Sequence, residues 1–131
     1  MRNLILIDTN FFISLLDKKD IHHKKAKKFL KKIENKEKIV TDGVLLESIT
    51  LAGSLFGGKI ATALYHNIKD NYNIYKTYHL LDKGMITHLK YDGNLSLVDT
   101  IMIETMKELD IHEILSFDSD FDNKDNVIRI H

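Results

Sequence analysis

The sequence contains no cysteine, which excludes disulfide bonds and thiolate chemistry. This absence fits a reducing cytoplasm, and any metal ion would have to be bound by oxygen or imidazole ligands. Proline is also absent, and no linker, repeat or low-complexity tract interrupts the chain, so we predict one domain over residues 1–131. No apolar run approaches the roughly 20 residues of a membrane-spanning helix. The first residues lead straight into a short apolar strand, so we expect neither a membrane association nor a secretory signal.

The formal net charge of zero hides an uneven distribution of charge. Lysines crowd residues 18–38, whereas aspartate and glutamate dominate residues 99–125. Such a division suits a polyanion held beside a site that collects cations. Residues 21–36 predict an amphipathic helix whose lysines either face solvent, the more common role, or contact phosphates. Its expected apolar stripe consists of Ile21, Ala26, Phe29, Leu30 and Ile33.

Four large aliphatic residues at positions 4–7 predict a short strand. Both of its faces should be buried, because an exposed face would require alternating polar residues. The run stops at Asp8, and we expect Thr9 or Asn10 to cap a short helix that ends at Leu16. Asp8 is therefore predicted at the carboxyl end of a central strand, where open parallel sheets bind ligands. Capping of the helix is the alternative role for Asp8.

Three more acidic residues occupy similar positions. Glu47 falls in the first turns of a helix predicted after a strand at 39–41, and this helix should overhang the same edge of the sheet. Asp99 falls in the first turn of a helix that Ser96 begins in a capping-box-like arrangement. Asp118 follows a second short aliphatic strand. Each also has a structural alternative, since an acid early in a helix complements the helix dipole.

The remaining sequence continues the alternation of strands and helices. We expect Thr41 or Asp42 to cap a helix that ends at Gly57 and Gly58, and a further helix over 59–68. A strand should follow over 72–77, and then an ambiguous, roughly helical region over 79–91, in which Gly84 weakens the helical pattern. A turn at 92–94 and a last strand over 127–130 complete the prediction. This alternation predicts βαβ units, right-handed crossovers and a mainly parallel sheet in an α/β protein.

Four carboxylates that converge without matching cations would repel one another and raise their pKa values. A hard divalent cation such as Mg²⁺ or Mn²⁺ is the simplest relief, because these ions prefer carboxylate and water ligands. A water bound to such an ion becomes a nucleophile, and the metal also stabilises phosphoryl oxygens. The acids therefore favour metal-assisted phosphodiester cleavage, by one ion or by two.

The ordered set of these motifs resembles the PIN domain family, and in particular the VapC-type toxin ribonucleases of prokaryotic toxin–antitoxin pairs. The resemblance spans nearly the whole chain, and the motifs are specific in combination although each is weak alone. The motifs are Asp8-Thr9-Asn10 after the first strand, Glu47 after the second, Leu97-Val98-Asp99 at the start of a late helix, and Ser116-Phe117-Asp118-Ser119-Asp120-Phe121 after a late strand.

The resemblance implies a Rossmann-like three-layer α/β/α fold and cleavage of RNA that depends on Mg²⁺ or Mn²⁺. It also implies a cytoplasmic homodimer that a cognate antitoxin holds inactive. The implied metal ligands are Asp8, Glu47, Asp99 and Asp118. Asn10 matches the polar residue after the first acid, Ser116 matches the Ser or Thr near the last acid, and Asp120 is an alternative to Asp118.

Two features depart from the family pattern: Asp110-Ile111-His112-Glu113 stands where a glycine is common, and the helix over 21–36 is unusually rich in lysine.

Three alternatives stay open. A haloacid-dehalogenase-like phosphotransfer domain would require a second Asp at Asn10, and a receiver-like domain would require an acidic pair and a late lysine that are not evident. A catalytically inactive RNA-binding PIN scaffold would have no reason to keep four acids that repel one another. The seven histidines show no metal-ligand spacing and are interpreted as surface or incidental residues.

Overall fold

The structure, a computed structural model, describes residues 3–125 and 127–131. The first two residues of the predicted domain, and Asn126 within it, lie outside the described residues. The strands are β1 (Leu4–Ile7), β2 (Glu37–Thr41), β3 (Asn73–Tyr75), β4 (Glu113–Leu115) and β5 (Ile128–Ile130). The helices are α1 (Thr9–Leu16), α2 (His23–Lys32), α3 (Asp42–Phe56), α4 (Gly58–Asn71), α5 (Leu81–Lys90) and α6 (Leu97–Leu109).

The five strands form one sheet in the order β3-β2-β1-β4-β5, and every neighbouring pair is parallel. In the centre, Leu6 of β1 is paired with Ile39 on one side and with Ile114 on the other. The predicted α/β class with a mainly parallel sheet is therefore confirmed.

Helices flank the sheet, as the burial of its central strand requires. Ile5, Leu6 and Ile7 of β1 have no exposed surface, so both faces of this strand are covered. Helix α1 packs against both α2 and α3, and α3 packs against α4, so α1 to α4 form one group. Helix α5 packs on α6 and forms a second group. The strand order predicts that these two groups lie on opposite faces, because crossovers between parallel strands are right-handed and the chain moves outward through β2 and β3 before it returns to β4. Within the described residues, no helix is long and apolar enough to cross a membrane.

The cap of α1 differs from the prediction. Asp8, and not Thr9 or Asn10, is the N-cap, and its side chain accepts a hydrogen bond from the Thr9 backbone N–H. The Thr9 hydroxyl donates instead to Glu47 on α3, at 2.6 Å. The prediction of Thr9 or Asn10 was therefore wrong, because Glu47, a partner distant in sequence, binds the Thr9 hydroxyl, and the alternative role of Asp8 as the helix cap is the one that the structure has.

Helix α2 is shorter than the predicted helix over 21–36. Ile21 precedes the helix and is 90% exposed, and Leu30 is 42% exposed, so neither belongs to the buried stripe. Ala26, Phe29 and Ile33 are buried as expected. The late start of α2 has a local cause, because Asp20 forms a turn in which its side chain accepts the His22 backbone N–H.

The ambiguous region over 79–91 is a 3₁₀ turn at Tyr78–Leu80 followed by α5. Gly84 lies where α5 crosses α6, and a Cβ atom at this position would be 2.6 Å from Cγ1 of Ile101. The Thr100 hydroxyl also donates to the Gly84 carbonyl, at 2.9 Å. Gly84 is therefore a point of close helix approach.

The segment that departs from the family pattern begins at Asp110. This residue ends α6 with a φ of 55°, a left-handed conformation that glycine adopts most easily.

We expect Gly84→Ala to lower the free energy of unfolding by about 1–3 kcal/mol, because Ile101 is buried and cannot move aside freely. Gly58→Ala is the matched control, since a Cβ atom there meets nothing within 4 Å. Thermal and urea denaturation of both variants measure the difference. Equal stability of the two variants would mean that α5 and α6 do not approach closely at Gly84.

Candidate active site

The candidate site lies where β1 and β4 run side by side in the centre of the sheet. The chain leaves these two strands toward opposite edges of the sheet, which opens a crevice at their carboxyl ends. Asp8 directly follows β1, and Ser116 directly follows β4. The Ser116 hydroxyl donates to Oδ2 of Asp8 at 2.7 Å, which links the two strand ends.

Short polar contacts orient Asp8. The Thr9 backbone N–H donates to its Oδ1 at 2.8 Å, and Nδ2 of Asn10 lies 3.3 Å from its Oδ2. Asn10 also accepts the Phe117 backbone N–H at 3.0 Å, and Ser116 accepts that of Asp118 at 3.0 Å. Asn10 and Ser116 therefore hold both Asp8 and the segment after β4 that carries Asp118.

Four of the predicted acids line one cleft of about 430 Å³: Asp8, Glu47, Asp99 and Asp118. Asn10 lines the same cleft, and Ser116 lies directly behind Asp8. Asp120 is exposed and is not among the described residues that line the cleft. Its backbone N–H donates to Oδ1 of Asp118 at 2.9 Å, so Asp120 supports the position of Asp118.

Glu47 and Asp99 reach the cleft from the starts of two different helices. Glu47 lies in the second turn of α3, where the Thr9 hydroxyl fixes its carboxylate. Asp99 is the third residue of α6 and forms the predicted capping box with Ser96, whose hydroxyl accepts the Asp99 backbone N–H at 3.1 Å. The Asp99 carboxylate accepts the Ser96 backbone N–H in return, so Asp99 belongs to the capping box of α6 and lines the cleft at the same time.

Burial and mutual repulsion disfavour the charged forms of two acids. Burial raises the pKa of Asp8 to about 7, and the carboxylates of Asp99 and Glu47 add to this shift, although the hydrogen bonds from Ser116 and Thr9 oppose it. Burial likewise raises the pKa of Asp99 to about 6, with contributions from Asp118 and Glu47 against the hydrogen bonds of Ser96. Perturbed carboxylates in a shared cleft are typical of functional sites.

The donor set fits a hard divalent cation. Its atoms are carboxylate oxygens, and the pKa values of Asp8 and Asp99 are raised by burial and further by the neighbouring acids, a cost to the charged forms that such a cation would relieve. Within the described part of the chain, no three His, Asp or Glu side chains are already arranged to hold a metal ion. Mg²⁺ normally retains several waters and uses one or two carboxylates, so a complete protein cage is not required.

Several residues that line the cleft were not predicted to do so. Ser14, Asp20, His22 and Phe117 all contribute to its lining. The imidazole of His22 stacks on the Phe117 ring, with 4.6 Å between centroids and 12° between planes. His22 was predicted to be a surface or incidental residue, and the structure places it half-buried in the lining of the cleft. No local signal marks it, because the contact joins the start of α2 to the segment after β4.

The sheet order and the acidic crevice define a Rossmann-like α/β domain with a candidate metal-binding site. The sequence model of the PIN domain family matches residues 5–127. The chain belongs to the PIN domain family, whose members are typically metal-dependent nucleases.

Two solved structures have a similar fold. VapC20 from Mycobacterium tuberculosis, a toxin that cleaves the sarcin–ricin loop, superposes with a TM-score of 0.80 at 23% identity, over 89% of this chain and 92% of that chain. A toxin–antitoxin complex from Klebsiella pneumoniae superposes with a TM-score of 0.71 at 18% identity, over 95% of each chain. A comparison with curated proteins found no significant match.

The raised pKa of Asp8 predicts how stability depends on pH in the metal-free protein. Because the pKa rises from 3.8 to about 7 on folding, the folded state retains a proton that the unfolded chain releases. The free energy of unfolding should therefore fall between about pH 4 and pH 7, by up to about 1.4 kcal/mol per pH unit from this group. Asp8→Asn should flatten this fall and be the more stable protein near pH 8.

Urea denaturation in EDTA at several pH values measures this effect. Asp120→Asn, which removes an exposed carboxylate outside the cleft, should follow the wild-type curve. Parallel curves for the wild type and Asp8→Asn would mean that burial does not perturb Asp8.

Proposed function

We propose that this protein is a metal-dependent endoribonuclease that hydrolyses RNA phosphodiester bonds, and that it is the toxin of a VapBC-type pair. The observation that carries the proposal is the shared cleft of Asp8, Glu47, Asp99 and Asp118 in a chain of the PIN family. The similar folds of VapC20 and of the Klebsiella complex support the toxin assignment. The continuous five-stranded sheet supports one nuclease domain over residues 1–131.

The four acids would hold Mg²⁺ or Mn²⁺. When bound, the ion supplies Lewis acidity to the phosphoryl oxygens and lowers the pKa of a water. The remaining polar residues orient the acids: Ser116 and Asn10 hold Asp8, Thr9 holds Glu47, and Ser96 holds Asp99. No nucleophilic side chain is required.

Asp118 is our choice for the fourth acid, because it lines the cleft and its backbone N–H is anchored on Ser116. Asp120 is assigned a supporting role through its hydrogen bond to Asp118. The phosphotransfer alternatives lose support because the chain belongs to the PIN family. An inactive scaffold is disfavoured because it would not need Asp8 and Asp99, whose charged forms burial and the neighbouring acids make costly.

Protein partners belong to the same proposal. The Klebsiella structure is a toxin–antitoxin complex, and we expect a cognate antitoxin and a homodimer for this chain. Adjacent exposed apolar side chains on α5 support a contact with another protein, because contiguous apolar patches mark interaction sites: Met85, Ile86 and Leu89. A toxin that acts on cellular RNA would act in the cytoplasm.

We expect Asp8→Asn and Asp99→Asn each to reduce RNA cleavage by about 100-fold or more, because each removes a ligand that stabilises the transition state through the metal. Asp118→Asn should cause a similar loss, whereas Asp120→Asn should retain most activity. Labelled RNA incubated with Mg²⁺ or Mn²⁺, with EDTA as the blank, measures cleavage, and circular dichroism verifies folding. Wild-type cleavage by Asp8→Asn would refute the proposal, and phosphate trapped on Asp8 would favour phosphotransfer.

Exposed lysines on α2 test whether this helix contacts the RNA backbone. The triple substitution of Lys24, Lys28 and Lys31 by alanine should weaken RNA binding. It should also flatten the slope of log K against log salt by about 2, because each phosphate contact to a single strand contributes about 0.7. The control replaces three exposed lysines on other segments, which are not among the described residues of the cleft: Lys59, Lys76 and Lys83. Equal effects of the two triple variants would mean that α2 is only solvated.

A further inference from the structure

His22 and Phe117, which we call the ring pair, form an aromatic surface inside the acidic cleft. Their rings are nearly parallel, at 12°, with 4.6 Å between centroids. Both side chains are half-buried, and both line the cleft with Asp8, Glu47 and Asp99. A flat aromatic surface therefore lies next to the acids that would support phosphodiester chemistry.

The ring pair is held in place from both sides. The Phe117 backbone N–H donates to Oδ1 of Asn10 at 3.0 Å, and Asn10 contacts Asp8 in turn. The His22 backbone N–H donates to Oδ1 of Asp20 at 2.8 Å, and the Ser14 hydroxyl donates to the same oxygen at 3.0 Å. The position of the rings is thus fixed relative to Asp8.

The imidazole of His22 retains unused polar capacity. Its ring nitrogens have no hydrogen-bond partner among the described residues, and its side chain makes no capping bond to α2. Other histidines differ in this respect. His23 contacts the Ser14 carbonyl oxygen at 2.8 Å, and His88 contacts that of Leu95 at 2.7 Å. His22 therefore has a free polar edge as well as a stacked face.

An aromatic face with a polar edge is suited to a nucleobase. Proteins bind unpaired bases by stacking them on aromatic side chains, whereas bases within a duplex already stack on their neighbours. Exposed lysines follow His22 directly on α2, at Lys24, Lys25 and Lys28, where they can contact phosphates. The lysines thus follow His22 of the ring pair in the chain, where α2 leads away from the cleft.

We propose that the ring pair is a nucleobase platform on which the base of an unpaired nucleotide near the scissile phosphate stacks. This inference rests on the proposed function and adds the requirement for an unpaired base at that position. The ring pair then determines where along an RNA the acids cut. A purely structural ring pair would only join α2 to the segment after β4, without sensitivity to the bases of the substrate.

An abasic scan of the substrate tests the platform. A short unstructured RNA is prepared with one abasic nucleotide at each position around the site that the wild type cleaves. Single-turnover cleavage with Mn²⁺ and fluorescence anisotropy in EDTA are then measured for each RNA. For the wild type, we expect one abasic position near the cut to weaken binding and cleavage by about 5- to 100-fold.

The variants of His22 should change this sensitivity selectively. In His22→Ala, the loss of binding and cleavage that the critical abasic position causes should fall to about 2-fold or less. The reason is that once the ring is absent, removal of the base that stacks on it removes no further contact. His22→Phe retains a ring and should retain the sensitivity. His66→Ala is the control, since His66 is an exposed histidine that packs edge-on against Tyr65, at 5.4 Å between centroids, on α4. Phe117→Leu tests the second ring, with thermal melting to verify that it folds.

The outcomes separate this inference from the proposed function. If the wild type cleaves RNA but tolerates every abasic position, or if His22→Ala retains the full sensitivity, the platform is wrong and the nuclease assignment stands. If the wild type binds RNA without cleaving it, the nuclease assignment fails and the anisotropy scan still decides the platform. If the wild type neither binds nor cleaves any RNA, both are overturned.

Discussion

The structure depends on a carboxylate that is buried at the end of its central strand. Asp8 is 4% exposed and follows a strand that is buried on both faces. A buried charge without compensation is costly, and here hydrogen bonds from Ser116 and Thr9 supply part of the compensation. The remainder is expressed in a pKa raised to about 7. The domain therefore tolerates the cost of a buried carboxylate at the carboxyl edge of the sheet, where a bound cation would offset that cost.

Helix starts make this acidic edge tolerable. The N-termini of α1, α3 and α6 carry the positive ends of their dipoles, and Asp8, Glu47 and Asp99 lie at or near these ends. Capping and site formation are therefore compatible roles for the same carboxylate. Asp8 caps α1 and Asp99 belongs to the capping box of α6, yet both have raised pKa values because burial and neighbouring acids outweigh their hydrogen bonds. An exposed acid that only capped a helix would not carry this cost of burial.

The sequence was informative where local chemistry decides the structure. Aliphatic runs predicted β1 and β4, and Ser96 and Asp99 predicted the start of α6, because burial and capping act over a few residues. The grouping of four acids followed from their positions after strands and at helix starts, since parallel strands end at a common edge. The choice between Asp118 and Asp120 did not follow, because both belong to the same short segment and only its turn decides which one faces the cleft.

Features that depend on long-range contacts could not be predicted. The cap of α1 was misassigned because Thr9 is engaged by Glu47, which lies on a different helix. The buried stripe of α2 was misassigned at Ile21 because a turn at Asp20 delays the helix. The ring pair joins two segments that share no pattern in the sequence. For the α1 cap and the ring pair a tertiary contact decides the structure, and local signals do not report such contacts. The start of α2 differs, because a local turn at Asp20 sets it and the helical pattern of the following residues outweighed that signal.

The separation of charge suggests how affinity and chemistry are divided in this domain. An acidic cleft by itself repels a polyanion, and a bound dication reverses the sign of the field at that point. The exposed lysines of α2 lie outside the cleft, where salt screens them strongly, whereas Asp8 is buried and screened much less. His22 lies at the boundary, since it lines the cleft and precedes the lysine-rich helix. Salt should therefore act mainly on the binding of a nucleic acid, and the divalent ion mainly on its cleavage.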